Sequence, residues 1–305
     1  MAGGAMTLLA IESATDTVGV ALFRDDGGSA ERVHEGGRTH AELLAPAIEE
    51  VCAVSGCTVG DIDAIAVDVG PGLFTGLRVG VATAKALGQS LGIGVLGVSS
   101  LDILAAAVVD RVAASLSGAD RGSTPRVGTV ASVIDARRGE VFAAVYRFDR
   151  ELGSPGTPGS AAGKPDGEPV DPMTVRIDSS EPMAPEALVA WLLDLAAREA
   201  QDDRAAGHNG AAGDGAGVIT VVGDGAVRYR DLCSIHDALD LALASEISSP
   251  PPLALAGLAR RRLRRGIEAV APGALVPDYR RRADARINWE QRPTRAPGPT
   301  GGGAR

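Results

Sequence analysis

Two acidic residues stand at the ends of apolar segments of this sequence, where carboxylates could take part in metal and phosphate chemistry. Glu12 follows residues 8–11 and Asp135 follows residues 127–134, and a second apolar segment begins six residues after each acid. Glycine-bearing turns occur at 70–72 and 223–226. Carboxylates can hold magnesium, and glycines let backbone amides approach phosphate groups. The repeated strand–acid–turn–strand pattern predicts a duplicated β-β-β-α-β-α unit.

This arrangement resembles the actin, Hsp70 and sugar-kinase architecture, in which each lobe offers an acid and a glycine turn to a nucleotide. The resemblance implies an α/β, actin-like (ASKHA) fold with two lobes. The nucleotide loops are degenerate here, because no glycine follows the first acid and arginines replace a glycine pair in the second lobe. The positions concerned are Glu12, Ser13, Thr15, Asp135, Arg137, Arg138, Gly223 and Gly225. The pattern therefore favours a chain that does not hydrolyse ATP by itself.

The first glycine turn lies inside a predicted β-turn-α-β unit between residues 61 and 100. The apolar run 62–69 predicts a buried strand, residues 75–91 have helical periodicity, and residues 93–98 form a second strand. Gly80, Ala84 and Gly88 form a stripe of small residues on the helix, whose two glycines cost about 2 kcal/mol relative to alanine. Packing on the chain's own sheet and packing against a partner helix both explain the stripe, and the sequence leaves both open.

The helix predicted at 39–54 has an apolar face that is wider than one core-facing seam requires. Deep burial explains this width, and so does a subunit interface. Together with the small-residue stripe, the wide face suggests that the two first-lobe helices form an interchain helical bundle. The predicted interface residues are Leu43, Leu44, Ala47, Ile48, Val51, Leu77, Val79, Gly80, Thr83, Ala84 and Gly88.

The length and the duplication together predict two lobes, at 6–110 and 111–290. Low-complexity segments near 153–172 and 201–217 predict disordered insertions in the second lobe, and residues 291–305 predict a disordered tail. The helix expected at 253–267 is assigned to the second lobe, although it could pack back on the first.

Other classes of site are poorly supported by the composition. The formal net charge of −9 argues against nonspecific coating of nucleic acid, the four histidines have no metal-ligand spacing, and the three cysteines match no zinc or redox motif. Neither a G-x-S-x-G nor a Walker A pattern occurs.

The run Arg260–Arg265 predicts a solvated helix face, with a tRNA contact as the open alternative. No apolar run reaches a membrane span and no secretory leader is visible, so we expect a soluble cytoplasmic protein.

A more specific resemblance lies in the string Gly70-Pro71-Gly72-Leu73-Phe74-Thr75-Gly76-Leu77-Arg78-Val79-Gly80 and in the segment Asp135-Ala136-Arg137-Arg138-Gly139-Glu140-Val141. Both look like the TsaB (YeaZ) family. Residues 8–22 and the helix around 39–48 are similar to it as well, and the resemblance is strong from residue 8 to about residue 145. Beyond that it is weak, as far as the region around Tyr279.

This resemblance implies a non-catalytic scaffold subunit of the bacterial complex that places threonylcarbamoyl on N6 of adenosine 37 in tRNAs reading ANN codons. It further implies a heterodimer with the related catalytic subunit TsaD through the first-lobe helices, and an association with the ATPase TsaE. The chain would bind no cofactor, because ATP and a metal ion are used through other subunits, and it would meet tRNA only within the complex. Whether the isolated chain is a homodimer is left open.

One segment of the sequence favours a non-catalytic subunit over an enzyme. TsaD relatives carry a metal-binding His-x-x-x-His just after the strand that follows the G-P-G helix, and Ser100 and Leu104 stand at the matching positions here. Leucine cannot ligate a metal, so we expect no metal site. The pair Glu12-Ser13 also replaces the Asp-Thr that is usual in the family. The alternatives are an ATP-dependent phosphotransferase, a metallopeptidase-like enzyme of the same fold, and a homodimeric regulatory protein.

Overall fold

A computed structural model describes residues 6–35, 40–118, 128–148, 173–178, 181–205 and 217–280. The strands of this part of the chain are β1 (Thr7–Glu12), β2 (Thr17–Arg24), β3 (Ser29–Glu35), β4 (Ala64–Gly70), β5 (Val95–Ser99), β6 (Thr129–Arg137), β7 (Glu140–Phe148), β8 (Met173–Asp178), β9 (Ile219–Val222) and β10 (Leu239–Asp240). The helices are α1 (His40–Val54), α2 (Phe74–Leu91), α3 (Ser100–Gly118), α4 (Pro185–Ala205), α5 (Asp224–Arg228), α6 (Arg230–Cys233) and α7 (Pro252–Arg264). Short 3₁₀ turns occur at Val59–Asp61 and Pro272–Ala274.

The ten strands form two five-stranded sheets with the same internal order. In the first sheet the order is β3-β2-β1-β4-β5, and in the second it is β8-β7-β6-β9-β10. In both sheets the first three strands along the chain are antiparallel neighbours. The fourth strand pairs in parallel with the first, and the fifth pairs in parallel with the fourth. This repeat confirms the predicted α/β, actin-like fold with two lobes built on a duplicated unit.

The space between the two sheets is filled by one helix from each half of the chain. Helix α3 and helix α7 pack together there, against β1 and β4 on one side and β6 and β7 on the other. Alanine supplies much of this layer, for example Ala105 and Ala259, which are wholly buried. Small side chains let helices and sheets approach closely, which explains how a chain with only 3% aromatic residues packs a core between its lobes.

The outer face of each sheet is covered by its own helices. Helices α1 and α2 cover the first sheet, and α4, α5 and α6 cover the second. Each outer layer is built from aliphatic side chains that project from alternate strand positions, as expected for sheets that are buried on both faces. The first-lobe helices named as a partner surface are therefore also the outer layer of the first-lobe core.

The arginine run of α7 attaches the helix to the rest of the protein. Arg262 pairs with Asp102 of α3 at 2.6 Å, and the hydroxyl of Tyr146 donates a hydrogen bond to the same carboxylate at 2.8 Å. Arg260 pairs with Asp25 at 2.6 Å. Further pairs join Arg261 to Asp110 and Arg264 to Asp25. The prediction that 260–265 is a solvated face was therefore wrong, because acids on the first lobe and on α3 lie within reach of this helix.

Some predicted boundaries differ from those of the structure. Helix α3 runs without a break from Ser100 to Gly118, so residue 110 lies inside a helix rather than between lobes. Helix α4 continues to Ala205, so residues 201–205 are helical and not part of an insertion. Residues 153–172, 206–216 and 291–305 lie outside the described residues. Within the described ranges, no helix has the length and apolar character needed to span a membrane.

We expect Arg262→Ala to lower the free energy of unfolding by about 3 kcal/mol, because it leaves the Asp102 carboxylate buried without its cation. Chemical denaturation monitored by circular dichroism measures this change. Arg198→Ala is the matched control, since Arg198 forms an exposed i,i+4 pair with Asp194 and exposed pairs contribute about 0.5 kcal/mol. Equal effects of the two substitutions would show that the Arg262 pair does not hold α7 in place.

Candidate functional site

The first acid of the degenerate nucleotide site is enclosed by the loop that follows it. Glu12 ends β1 and is wholly buried. Its Oε1 accepts a hydrogen bond from the backbone N–H of Ala14 at 2.8 Å, and its Oε2 accepts one from the Thr17 hydroxyl at 3.3 Å. Burial raises the pKa of Glu12 well above its usual value, and the neighbouring carboxylate of Asp68 raises it further.

Asp68 at the end of β4 is a second buried acid beneath the same loops, and the sequence analysis did not select it. Its Oδ1 accepts hydrogen bonds from the Ser100 hydroxyl at 2.6 Å and the Gly70 N–H at 2.8 Å, while its Oδ2 has no hydrogen-bond partner. Burial raises the pKa of Asp68 to about 7, against the effect of these two hydrogen bonds. An acidic residue between apolar residues of a predicted strand is the sequence signal that could have identified Asp68 as a buried acid.

The loop after β1 packs directly on the backbone of α2. A Cβ atom on Gly76 would overlap the carbonyl oxygen of Ser13, and one on Gly80 would overlap the Ser13 hydroxyl. That hydroxyl also donates a hydrogen bond to the Gly76 carbonyl at 2.9 Å. Thr15 is buried as well, and its carbonyl lies 3.0 Å from Nε2 of His40 at the start of α1. The loop is therefore fixed between the two first-lobe helices.

The small-residue stripe of α2 faces inward, which decides between the two interpretations of the sequence. Gly80, Ala84 and Gly88 are buried, and a Cβ on Gly88 would lie 2.8 Å from a methyl of Val95. The prediction that this stripe contacts a partner was therefore wrong, because the chain's own loop and β5 occupy that space. Leu77 is likewise buried.

The apolar face of α1 is also mostly internal. Leu44, Ala47, Ile48 and Val51 are buried in the first-lobe core. These four predicted interface residues are core residues, because both apolar stripes of α1 pack toward the sheet and toward α2. Of the eleven predicted interface positions, Leu43, Val79 and Thr83 remain partly exposed.

The outward face of α2 differs from an ordinary solvated helix face. Between Val79 and Leu91 its exposed residues are Ala82, Ala86, Gln89 and Ser90, none of which is charged, and Lys85 is partly exposed. Solvent-facing stripes of helices usually carry charged side chains. The outward face of α4, by contrast, has charged residues at regular intervals, among them Glu186, Asp194, Arg198 and Asp202. Ala82 and Ala86 were not among the predicted interface residues, although Val79 and Thr83 beside them were.

The second-lobe turn places an arginine between the acids of the two lobes. Arg137 has a left-handed φ of 63°, and its guanidinium contacts Asp135 at 3.2 Å and Asp16 of the first lobe at 2.7 Å. Arg228 also contacts Asp135, at 3.4 Å. Arg138 is exposed at the same turn, with a φ of 57°. A guanidinium group thus lies beside the second acid.

The glycines of the second lobe serve its internal packing. A Cβ on Gly223 would overlap the carbonyl oxygen of Val133, and one on Gly225 would lie 2.7 Å from a Val133 methyl. Asp224 between them accepts a hydrogen bond from the Asp135 N–H at 2.8 Å, and burial raises the pKa of Asp224 to about 6. The turn is therefore packed against β6.

These groups fit a magnesium-bound nucleotide poorly. Magnesium needs carboxylate oxygens that remain open to water and phosphate. The Glu12 carboxylate lies under its own loop, and the Asp135 carboxylate contacts two guanidinium groups. Leu104, at the second position of the expected metal motif, is wholly buried in the core between the sheets. Among the described residues, no three histidine, cysteine or acidic side chains are grouped so that they could hold a metal ion.

The buried acid pair makes stability depend on pH. Because the pKa of Asp68 is raised in the folded state, folding retains a proton that the unfolded chain releases above about pH 4, and stability falls from there to about pH 7. Between about pH 5 and pH 8 we expect the free energy of unfolding of Asp68→Asn to fall by about 2 kcal/mol less than that of the wild type. Urea unfolding across this range measures the difference. The exposed Asp231→Asn is the control, and identical profiles for Asp68→Asn and wild type would contradict the expectation.

Comparisons with known proteins agree with these features. Residues 32–155 match the family model described as "TsaD: tRNA N6-adenosine threonylcarbamoyltransferase". The chain is 33% identical over 147 residues to the tRNA threonylcarbamoyladenosine biosynthesis protein TsaB of Bacillus subtilis, which covers 48% of this chain and 58% of that protein. It is 41% identical over 142 residues to an uncharacterized protein of Mycobacterium tuberculosis, covering 46% and 59%.

The chain thus spans somewhat more than half the length of the curated relatives that it matches. The similarity in structure extends further. The solved structure of YeaZ from Pseudomonas aeruginosa has a TM-score of 0.57 and 24% identity, and covers 89% of this chain and 98% of that one. In its first-lobe sequence the chain is similar to TsaB, and in its fold it is similar to YeaZ.

Proposed function

We propose that this chain is a scaffold subunit for N6-threonylcarbamoylation of adenosine 37 in tRNAs that read ANN codons, and that it binds and activates a TsaD-type catalytic subunit. The observation that carries the proposal is the outward face of α2 between Val79 and Leu91, where the exposed residues Ala82, Ala86, Gln89 and Ser90 carry no charge. Uncharged side chains on an exposed helix face desolvate at little cost when another helix packs on them.

The partner surface in this proposal consists of Val79, Ala82, Thr83 and Ala86 of α2, together with Leu43 of α1. Ala82 and Ala86 allow the backbone of a second helix to approach closely. The exposed edge of α1 carries Glu42 and Glu49, so a basic rim on the partner would complement it. This surface replaces the buried stripe as the interchain contact.

We further propose that the chain contributes no catalytic groups and binds no cofactor. Support comes from the cleft, where Glu12 is enclosed and Asp135 is paired with arginines. ATP and a metal ion would then act through other subunits of the complex, with TsaE as a further partner. The chain would reach tRNA in the cytoplasm as part of this complex, and a homodimer of the isolated chain would use the same α2 face.

Ala82→Glu should abolish co-purification with the TsaD-type subunit of the same organism, because it places a charge in the centre of the contact. The matched control is Ala197→Glu, which makes the same change on the exposed face of α4 and should bind as the wild type does. Size-exclusion chromatography of co-expressed pairs measures binding, and circular dichroism verifies that both variants are folded. Unchanged co-purification of a folded Ala82→Glu variant would exclude this surface.

Depletion of the chain in its host should remove threonylcarbamoyladenosine from bulk tRNA, as measured by mass spectrometry of hydrolysed nucleosides. Re-expression of the wild type or of Ala197→Glu should restore the nucleoside, whereas Ala82→Glu should not. An unchanged nucleoside level after depletion would contradict the proposed pathway.

A further inference from the structure

Helix α1 ends in a turn that brings two cysteines together. Gly56 follows the helix with a left-handed φ of 66°. The N–H of Cys57 donates a hydrogen bond to the Cys52 carbonyl at 3.0 Å, and the N–H of Gly56 donates one to the Ala53 carbonyl at 3.2 Å. These two bonds define a Schellman motif, in which the residue after the glycine commonly makes a hydrophobic contact with the last turn of the helix. Here both residues at the positions of that contact are cysteines.

The two thiols lie next to each other at the edge of the first-lobe core. Cys52 is 3% exposed and belongs to this core, whereas Cys57 is partly exposed and packs against it. A hydrogen bond joins the two side chains. Burial and the neighbouring Cys57 raise the pKa of the Cys52 thiol to about 11. Cys52 is therefore protonated at neutral pH, and Cys57 is the thiol that a reagent in solution can reach.

The geometry of this pair suits a disulfide. A disulfide requires Cα atoms within about 7 Å of each other and side chains that point toward each other. The hydrogen bond from the Cys57 N–H to the Cys52 carbonyl holds the two backbones close, and the hydrogen bond between the thiols brings the side chains together. Neither cysteine is in a disulfide in the structure, and Cys233 is buried in the separate core of the second lobe.

We propose that Cys52 and Cys57 are a modification site, at which a low-molecular-weight disulfide oxidises the two thiols to a reversible disulfide that closes the end of α1. The Cys57 thiolate attacks one sulfur of the small disulfide, which forms a mixed disulfide and releases one small thiol. The Sγ of Cys52 then attacks the Sγ of Cys57, and its proton passes to the departing thiolate, which leaves as a second small thiol. Two protein thiols are thereby oxidised to one disulfide, and the small disulfide is reduced to two thiols.

A reversible disulfide fits this pair better than a metal site or a permanent staple does. Among the described residues, no third histidine, cysteine or acidic side chain is grouped with the pair so that the three could hold a metal ion. A bond across residues 52–57 closes a short loop and constrains the unfolded chain little. It therefore stays open in a reducing compartment and closes where small disulfides accumulate. This inference goes beyond the proposed function and does not depend on it.

Redox titration of the full chain with mixtures of reduced and oxidised glutathione tests the proposal. After each incubation an alkylating reagent blocks the free thiols, and mass spectrometry of the denatured chain counts them. Oxidation of the wild type should remove two of its three alkylatable thiols. The tryptic peptide of residues 39–78, which contains both cysteines, should then be lighter by two hydrogen atoms. Cys233→Ser is the control, and it should form the same bond as the wild type does.

Single-cysteine variants separate the two chemical steps. Cys52→Ser should retain a glutathione adduct on Cys57, because the thiol that displaces glutathione is missing. Cys57→Ser should remain unmodified at Cys52, because that side chain is buried. A glutathione adduct on Cys52 of the folded Cys57→Ser variant would contradict the proposed order of attack.

Gly56→Val tests whether the Schellman motif holds the thiols together. A Cβ atom at this position would meet no atom within 4 Å, but the left-handed φ disfavours a β-branched residue. The substitution should lower the effective concentration of the two thiols, taken from the glutathione titration, about tenfold. Gly273→Val is the matched control, because Gly273 also has open space around it and has no left-handed φ. This control should titrate as the wild type does.

Three results would overturn the proposal. The first is a folded wild type in which Cys52 and Cys57 both remain alkylatable in excess oxidised glutathione. The second is a disulfide that includes Cys233 or a second copy of the chain in place of the bond between Cys52 and Cys57. The third is an unchanged effective concentration in a Gly56→Val variant whose circular dichroism shows it to be folded. All three are measured on the isolated chain, so none depends on a role in tRNA modification.

Discussion

The contact between the backbone of α2 and the loop after β1 is the constraint on which the first lobe depends. Glycines on the inner face of the helix let the Ser13 carbonyl and hydroxyl approach the helix backbone, where any side chain would overlap them. This contact fixes the loop over Glu12 and sets the rotation of α2 about its axis. The rotation in turn directs Ala82 and Ala86 outward and places Phe74 beside Tyr279.

The same contact encloses the acid that ends β1 in the first lobe. With the loop packed on α2, the carboxylate of Glu12 accepts hydrogen bonds from within the loop, and burial raises the pKa values of both Glu12 and Asp68. In the second lobe, the exposed contact of Arg137 with Asp16 adds at most about 1 kcal/mol. Its greater effect is positional, because it places a cation where the acids of the two lobes face each other.

The two lobes are joined by their core rather than by the cleft. Helices α3 and α7 form a layer that belongs to both sheets, and the buried contacts of Arg262 and Tyr146 with Asp102 link α7, α3 and β7. A layer shared in this way joins the two sheets through one hydrophobic core.

Periodicity and turn residues were sufficient to predict the strands and helices of the first lobe and the duplication, because these depend on local chain geometry. The resemblance to the TsaB (YeaZ) family came from continuous sequence strings. They could not decide which neighbour a helix face meets. Gly80 and Ala84 have the same spacing whether they face a partner or the chain's own loop, and the arginines of α7 look solvated until distant acids are brought beside them. Phe74 and Tyr279 are far apart in the sequence and carry no shared pattern. Only the tertiary structure joins them, since contacts between distant segments depend on how the elements pack and not on their spacing along the chain.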